Sequence, residues 1–213
     1  DAPEETSPDD GATSKVVPPS GRPLEVLSLG EGQGRNGVYL ASLGHRVTAV
    51  DLSPVGLAKA SRLAAERGVP EANLCPVVAN LEDWTPPPDT FDVVLSVFCA
   101  LPTPAREKLH RACVAALRPG GVVVVLAYAP RQAAVRGKRA GGPPTDRLIG
   151  VDQLLADFDG LEAVVADEVE GRLDEGRFHH GVAVTARLVA RKPAVIETEG
   201  GPAELNQRAR CTN

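Results

Sequence analysis

The residues with the clearest chemical potential lie in "LSLGEGQGRNG", positions 27–37, where glycines at 30, 32, 34 and 37 surround Glu31. Glycines this dense leave the backbone bare and free to turn, so that amide N–H groups can meet a ligand directly. Asp51 lies 19 residues beyond Gly32 at the end of a β-branched run, "HRVTAVD". Gly32, Gly34 and Gly37 satisfy G-x-G-x-x-G, and the distance to Asp51 is close to the spacing of a dinucleotide-binding unit. That fingerprint alone is weak, because the same strand–turn–helix layout serves several nucleotide-like ligands. Glu31 separates them. A pyrophosphate is repelled by a carboxylate inside its loop, whereas a ligand with an ammonium and a sulfonium is attracted to one. The reading is therefore S-adenosylmethionine (SAM) rather than a nicotinamide dinucleotide.

The elements that must position these residues alternate along the chain. Leu24–Leu29 reads as a buried strand. A short helix follows over 37–43, with Val38, Tyr39 and Leu43 among its apolar positions. "SPVGLAKASRLAAERG" begins with Ser53 as N-cap and Pro54 at the first helical position, and Gly68 closes it. "NLCPVVAN" and "FDVVLSVF" are further strands. Thr103-Pro104 opens a helix whose Leu109, Cys113, Ala116 and Leu117 share a face, and Pro119-Gly120 stops it. "GVVVVLAYA" is a fifth strand, a helix lies near 151–158, and two strands, about 161–170 and 178–191, end the core. Repeated strand–helix–strand units imply a doubly wound α/β fold with a mainly parallel sheet. The last two strands, joined by a short "DEGR" connection, form an antiparallel C-terminal edge hairpin. Such folds bind ligands at the C-terminal ends of their early strands.

Composition limits the function classes. The chain has 213 residues, 43% hydrophobic, with a net charge of −5. This mild acidity provides no footprint for nucleic acid or an anionic membrane. The longest apolar run, Val122–Ala129, suits a strand rather than a membrane span. Four cysteines without CxxC spacing (Cys75, Cys99, Cys113 and Cys211) read as small buried thiols, Cys99 among them as a packing residue. They predict a reducing compartment, cytoplasmic or the interior of an organelle. The sequence contains no Met, so residue 1 reads as following a removed segment, with a targeting segment among the alternatives. Residues 1–23, acidic and Pro-rich, are expected to be a flexible arm, 24–193 the folded domain, and 194–213 a C-terminal tail. Arg136, Lys138 and Arg139 form a basic loop after the fifth strand, on the side where an anionic substrate would enter.

"VLSLGEGQGRNGVYLASLGHRVTAVDLSPVGLAKA", "ANLEDW", "FDVVLSVFCALP", "LRPGGVVVVLAYAP" and "EGRFHHGVAVTARLVARKP" together resemble the tellurite-resistance-type, thiopurine-methyltransferase-like branch of class I SAM-dependent methyltransferases. The resemblance runs in register over about residues 24–193. It implies a Rossmann-like fold. Gly30, Gly32 and Gly34 would approach the methionine half of SAM, with Glu31 near its ammonium. Asp51 would accept both ribose hydroxyls, and Leu52 would lie against the adenine. Asn80 and Leu81 would border the adenine, and Ser96, Val97 and Phe98 would line the floor beneath the sulfonium. His179 is the candidate base. The implied reaction is methyl transfer to a small soft nucleophile, a thiol or a tellurium or selenium oxyanion. Two departures, Ala100 where relatives carry His and no aromatic residue in 1–23, favour the alternative: a methyltransferase-like fold retained as a non-catalytic assembly subunit, with the tails wrapping a protein partner.

Overall fold

A computed structural model describes residues 21–135, 142–174 and 180–194. Seven strands, β1 (Glu25–Leu29), β2 (Arg46–Asp51), β3 (Leu74–Val78), β4 (Phe91–Val97), β5 (Leu117–Tyr128), β6 (Glu162–Asp174) and β7 (His180–Arg191), form one sheet. Its order is β3-β2-β1-β4-β5-β7-β6. The first five strands pair in parallel, and β7 lies antiparallel to both β5 and β6. The direction of winding reverses between β1 and β4, which opens a crevice above their C-terminal ends.

Helices α1 (Gly37–Ser42), α2 (Pro54–Glu66), α3 (Thr103–Ala116), α4 (Gln132–Val135) and α5 (Val151–Asp157) lie in the connections. Two cores result, one on each face of the sheet. Val26, Val47 and Ala49 pack with Val38, Leu57 and Ala60 from α1 and α2. Leu27, Leu29 and Val94 pack with Leu109, Cys113 and Leu154 from α3 and α5. Adjacent residues Val26 and Leu27 of β1 thus serve opposite cores, as the two-residue period of a strand requires, and this is why apolar residues stand on both faces of the strand. Ser53 caps α2 by accepting the Gly56 N–H at 3.0 Å.

Several details differ from the sequence reading. In α1 only Val38 of the three expected apolar positions is buried; Tyr39 and Leu43 are exposed, because a six-residue helix has room for one buried stripe. α3 ends at Ala116, and Leu117 with Pro119-Gly120 belongs to β5. Gly120 N–H bonds the Lys192 carbonyl at 2.9 Å and Lys192 N–H bonds the Gly121 carbonyl at 2.8 Å, so partners across the sheet draw this turn into the strand. Cys75 is exposed, whereas Cys113 is buried. It lies on β3, which with β6 forms the two edges of the sheet, and β3 carries Pro76 opposite Ala49.

The hairpin is longer than expected. β5 pairs with β7 only as far as Tyr128 opposite Thr185, but β6 stays paired with β7 to Asp174 opposite His180. The hairpin therefore rises past the C-terminal end of β5. There Leu173 and Ala183 pack with Phe98, Tyr128 and Leu148 in a small third cluster.

Candidate functional site

The glycine loop turns immediately after β1. Gly30, Gly32 and Gly34 have φ of +62°, +64° and +92°, a region that side chains resist. Their surroundings differ. A Cβ on Gly32 would meet nothing within 4 Å, whereas one on Gly34 would stand 2.8 Å from the Ala60 backbone of α2. A Cβ on Gly56 of α2 would stand 2.8 Å from the Gly32 carbonyl. Gly34 and Gly56 thus let loop and helix close on each other, and Gly32 presents bare backbone to the crevice.

Two carboxylates hold the loop. Glu31 is buried and turned inward: the Ser28 hydroxyl donates to Oε2, and the Gly37 N–H donates to Oε1 at 2.8 Å. Burial pushes its carboxyl above the ordinary range, and the hydrogen bonds from Ser28 and Gly37 offset this only in part. Its own N–H bonds the Val50 carbonyl at 3.1 Å, fastening the loop to β2. Asp51 accepts the Gly32 N–H on Oδ2 at 2.8 Å and the Ser53 N–H on Oδ1 at 2.7 Å. It is half-buried, so each carboxylate oxygen keeps a lone pair for a further donor.

The remaining sequence candidates surround this centre. Leu52, 67% exposed, follows Asp51 at the rim. Asn80 is exposed and closes a local turn, accepting the Glu82 N–H at 3.2 Å and donating to Asp83 at 3.3 Å. Leu81 is buried among Leu29 and Val50, inside the core. Ser96 is buried, Val97 is half-buried, and Phe98 has a left-handed φ of +53°. Such a backbone is uncommon for an aromatic residue. It is held by the Phe98 N–H to Leu126 carbonyl bond at 2.7 Å and by the ring against Tyr128, centroids 4.8 Å apart. Cys99 packs against Gly30 with its thiol pushed up to about 12 by burial, so it stays protonated at neutral pH. His179, Arg136, Lys138 and Arg139 lie outside the described residues. His180 is exposed and pairs with Asp174 at 2.9 Å.

The structure adds a group absent from the sequence candidates. Arg106 and His110 on α3 both reach Asp157 of α5, Nε and Nδ1 each 2.8 Å from Oδ2, and all three are buried. Burial alone would raise the Asp157 carboxyl, but hydrogen bonds from His110 and Arg106 hold it below the ordinary range. Arg106 and His110 also line a cavity of about 20 Å³, room for roughly one water, with Ser96, Phe98, Ala100 and Arg147 among the other walls. The available signal was two basic residues at i, i+4 on the buried side of a helix, where charge needs a partner.

Residues 26–121 match a methyltransferase domain family. Over 106 residues the chain is 30% identical to the 2-heptyl-1-hydroxyquinolin-4(1H)-one methyltransferase of Mycobacteroides abscessus, covering 49% of this chain and 46% of that protein. It spans less than half the length of the curated relatives it matches. A SAM-dependent methyltransferase of Methanosarcina mazei shares the fold with a TM-score of 0.64 at 17% identity, over 85% of this chain and 97% of that one. TehB of Haemophilus influenzae does so with 0.63 at 20%, over 80% and 58%. The fold is the Rossmann-like one of these methyltransferase structures, and residues 26–121 are similar to a methyltransferase domain, a class of domain whose cofactor is SAM. The site suits that cofactor, since Gly32 faces open space and Asp51 keeps acceptor capacity beside it.

Proposed function

We propose that the chain transfers a methyl group from SAM to a small soft nucleophile, a thiol or a tellurium or selenium oxyanion. The observation that carries the cofactor half is Asp51, whose carboxylate ends β2 and already engages the Gly32 N–H. In this reading Asp51 accepts the ribose hydroxyls, and Gly30, Gly32 and Gly34 give the methionine half access to backbone. Leu52 and Asn80 flank the adenine, with Leu81 supporting that wall from the core. Ser96, Val97 and Phe98 form the floor. Glu31 acts through the loop, because it is buried with its carboxylate turned inward to Ser28 and Gly37.

Bound SAM supplies a methyl carbon already activated by its sulfonium, so the protein's part is alignment and exclusion of water. Phe98, Cys99 and Tyr128 provide apolar walls at the end of β4 and β5. A soft, readily ionised acceptor needs little general-base help. The motif resemblance to the tellurite-resistance-type branch supports the same acceptor class.

Calorimetry tests the cofactor half. SAM and its demethylated product, S-adenosylhomocysteine (SAH), should bind the chain, and Asp51→Ala should weaken both roughly ten- to a hundred-fold, the loss of charge-assisted hydrogen bonds worth about 1.5–3 kcal/mol. Unchanged affinity in the variant, or NADH binding more tightly than SAM, would overturn the assignment.

A further inference from the structure

The walls of the small cavity are unequal in charge. They include two guanidinium groups, Arg106 and Arg147, and no carboxylate among the described lining residues. The charge of Arg106 is compensated by Asp157 at 2.8 Å and Glu107 at 3.6 Å. Arg147 is different. It ends a short 3-10 turn, Thr145–Arg147, in the connection between β5 and α5. Its Nε is buried without a hydrogen-bond partner, and its Nη1 donates only to the Ala100 carbonyl, at a long 3.4 Å. No acid pairs with it among the described residues. A guanidinium with a buried, idle N–H at an apolar cavity is costly to maintain unless an anion completes it.

Place agrees with charge. Ser96 and Phe98, the proposed floor beneath the reacting carbon, are also walls of this cavity. Ala100, to which Arg147 is tethered, follows on the same loop after β4. An acceptor held by Arg147 therefore lies next to the end of β4, where the methyl is delivered.

We propose that the methyl acceptor is held at the open side of this cavity, against Arg147, and that Arg147 selects acceptors that carry a negative charge. This rests on the methyltransferase reading and narrows its acceptor to an anion. Opposite charge favours the ionised form of a thiol at this position, which removes the need for a side-chain base. In the transfer, a thiolate lone pair forms the new bond to the methyl carbon while the carbon–sulfonium bond breaks and its electron pair stays on the cofactor sulfur. Both products are then neutral thioethers. Arg147 thus loses its counter-charge when the reaction is complete, which favours release of the methylated product over retention.

The test uses the full chain and Arg147→Gln, a variant at a partly exposed turn that keeps a polar N–H donor and removes the charge. SAH-loaded protein is titrated with thiocyanate, an unreactive soft anion, and with acetonitrile, a neutral molecule of similar shape. Turnover is compared for methanethiol, which reacts as its thiolate, and dimethyl sulfide, a neutral thioether. Thiocyanate should bind the wild-type complex and acetonitrile should not. Arg147→Gln should weaken thiocyanate, and lower the preference for methanethiol over dimethyl sulfide, by at least about tenfold, with SAH affinity unchanged. SAH binding without thiocyanate binding, or equal thiocyanate binding in the variant, overturns this proposal alone. Dimethyl sulfide turned over as well as methanethiol does the same. Failure of SAH to bind the wild-type chain overturns the methyltransferase reading and this inference with it.

Discussion

Replacing Glu31 with Gln separates two roles for a carboxylate in a cofactor loop. If Glu31 acts as a brace, what matters is that one atom accepts the Gly37 N–H and another engages the Ser28 hydroxyl. A glutamine can do both, its carbonyl accepting from Gly37 and its amide donating to Ser28 Oγ. Exchanging charged for neutral hydrogen bonds loses about 1 kcal/mol for each, and removing a buried charge returns a similar amount. The net change at neutral pH should be within about 1 kcal/mol. Glu31→Ala, by contrast, strands the Gly37 N–H and the Ser28 hydroxyl and should cost about 2–5 kcal/mol.

The pH dependence carries the sign. The folded-state pKa of Glu31 is raised, so stability associated with its protonated form is fully present below its unfolded value of 4.5 and is lost as pH rises through the folded value. Glutamine has no such loss. Urea unfolding from about pH 4.5 to about pH 7.5 should therefore show Glu31→Gln gaining on the wild type as pH rises. SAH affinity should remain within about threefold. A variant less stable by more than about 2 kcal/mol at neutral pH, or a gap that moves the other way, would refute the brace. A tenfold or greater loss of SAH affinity in a stable variant would show that the charge itself faces the ligand.

Two more substitutions probe the scaffold. Gly34→Ala places a Cβ 2.7 Å from Val38 Cγ2 at φ +92° and should lower stability by about 2–4 kcal/mol in denaturant titrations, whereas Gly32→Ala, facing open space, should cost about 1 kcal/mol and act mainly on SAH affinity. Asp157→Ala leaves Arg106 buried beside His110 without its carboxylate, and should cost about 3–5 kcal/mol. Because the folded pKa of Asp157 is lowered, the wild-type advantage should be present above its unfolded value of 3.8 and vanish as pH falls through the folded one; an advantage constant into acid would contradict this.

The parts of the fold that were legible in the sequence are those governed by local rules. Ser53-Pro54 announces α2 because capping is a matter of a few consecutive residues, and the apolar run of β1 announces a strand buried on both faces. The hairpin was legible as an antiparallel pair but not in its reach, since its far end is set by Leu173 and Ala183 meeting Phe98 and Tyr128, contacts distant in sequence. The orientation of Glu31 was hidden for a similar reason. Only after three left-handed glycines wind the loop do Ser28 and Gly37 reach the same carboxylate. Arg106 and His110 fall on the apolar side of α3, and their partner lies 51 and 47 residues further along the chain. Apolar periodicity describes such a helix face well, but it carries no information about which distant acid satisfies a buried cation.

The edges of the sheet bear on behaviour at high concentration. A seven-stranded sheet offers two rows of unpaired backbone groups to other copies of the chain, and each edge strand is blunted in its own way. Pro76 removes an N–H from β3, so no partner strand can complete a ladder there. β6 instead carries Glu162, Asp167, Glu168, Glu170 and Asp174, whose mutual repulsion across an edge-to-edge pairing opposes self-association. That protection depends on ionisation. Asp167, held below the ordinary range by its hydrogen bond to Arg187, keeps its charge further into acid than an unpaired carboxylate does. The guanidinium that preserves this charge also neutralises it. Glu170 and Asp174 likewise have basic partners, Arg131 at 3.5 Å and His180 at 2.9 Å, so repulsion at the β6 edge is weaker than five free acids would give.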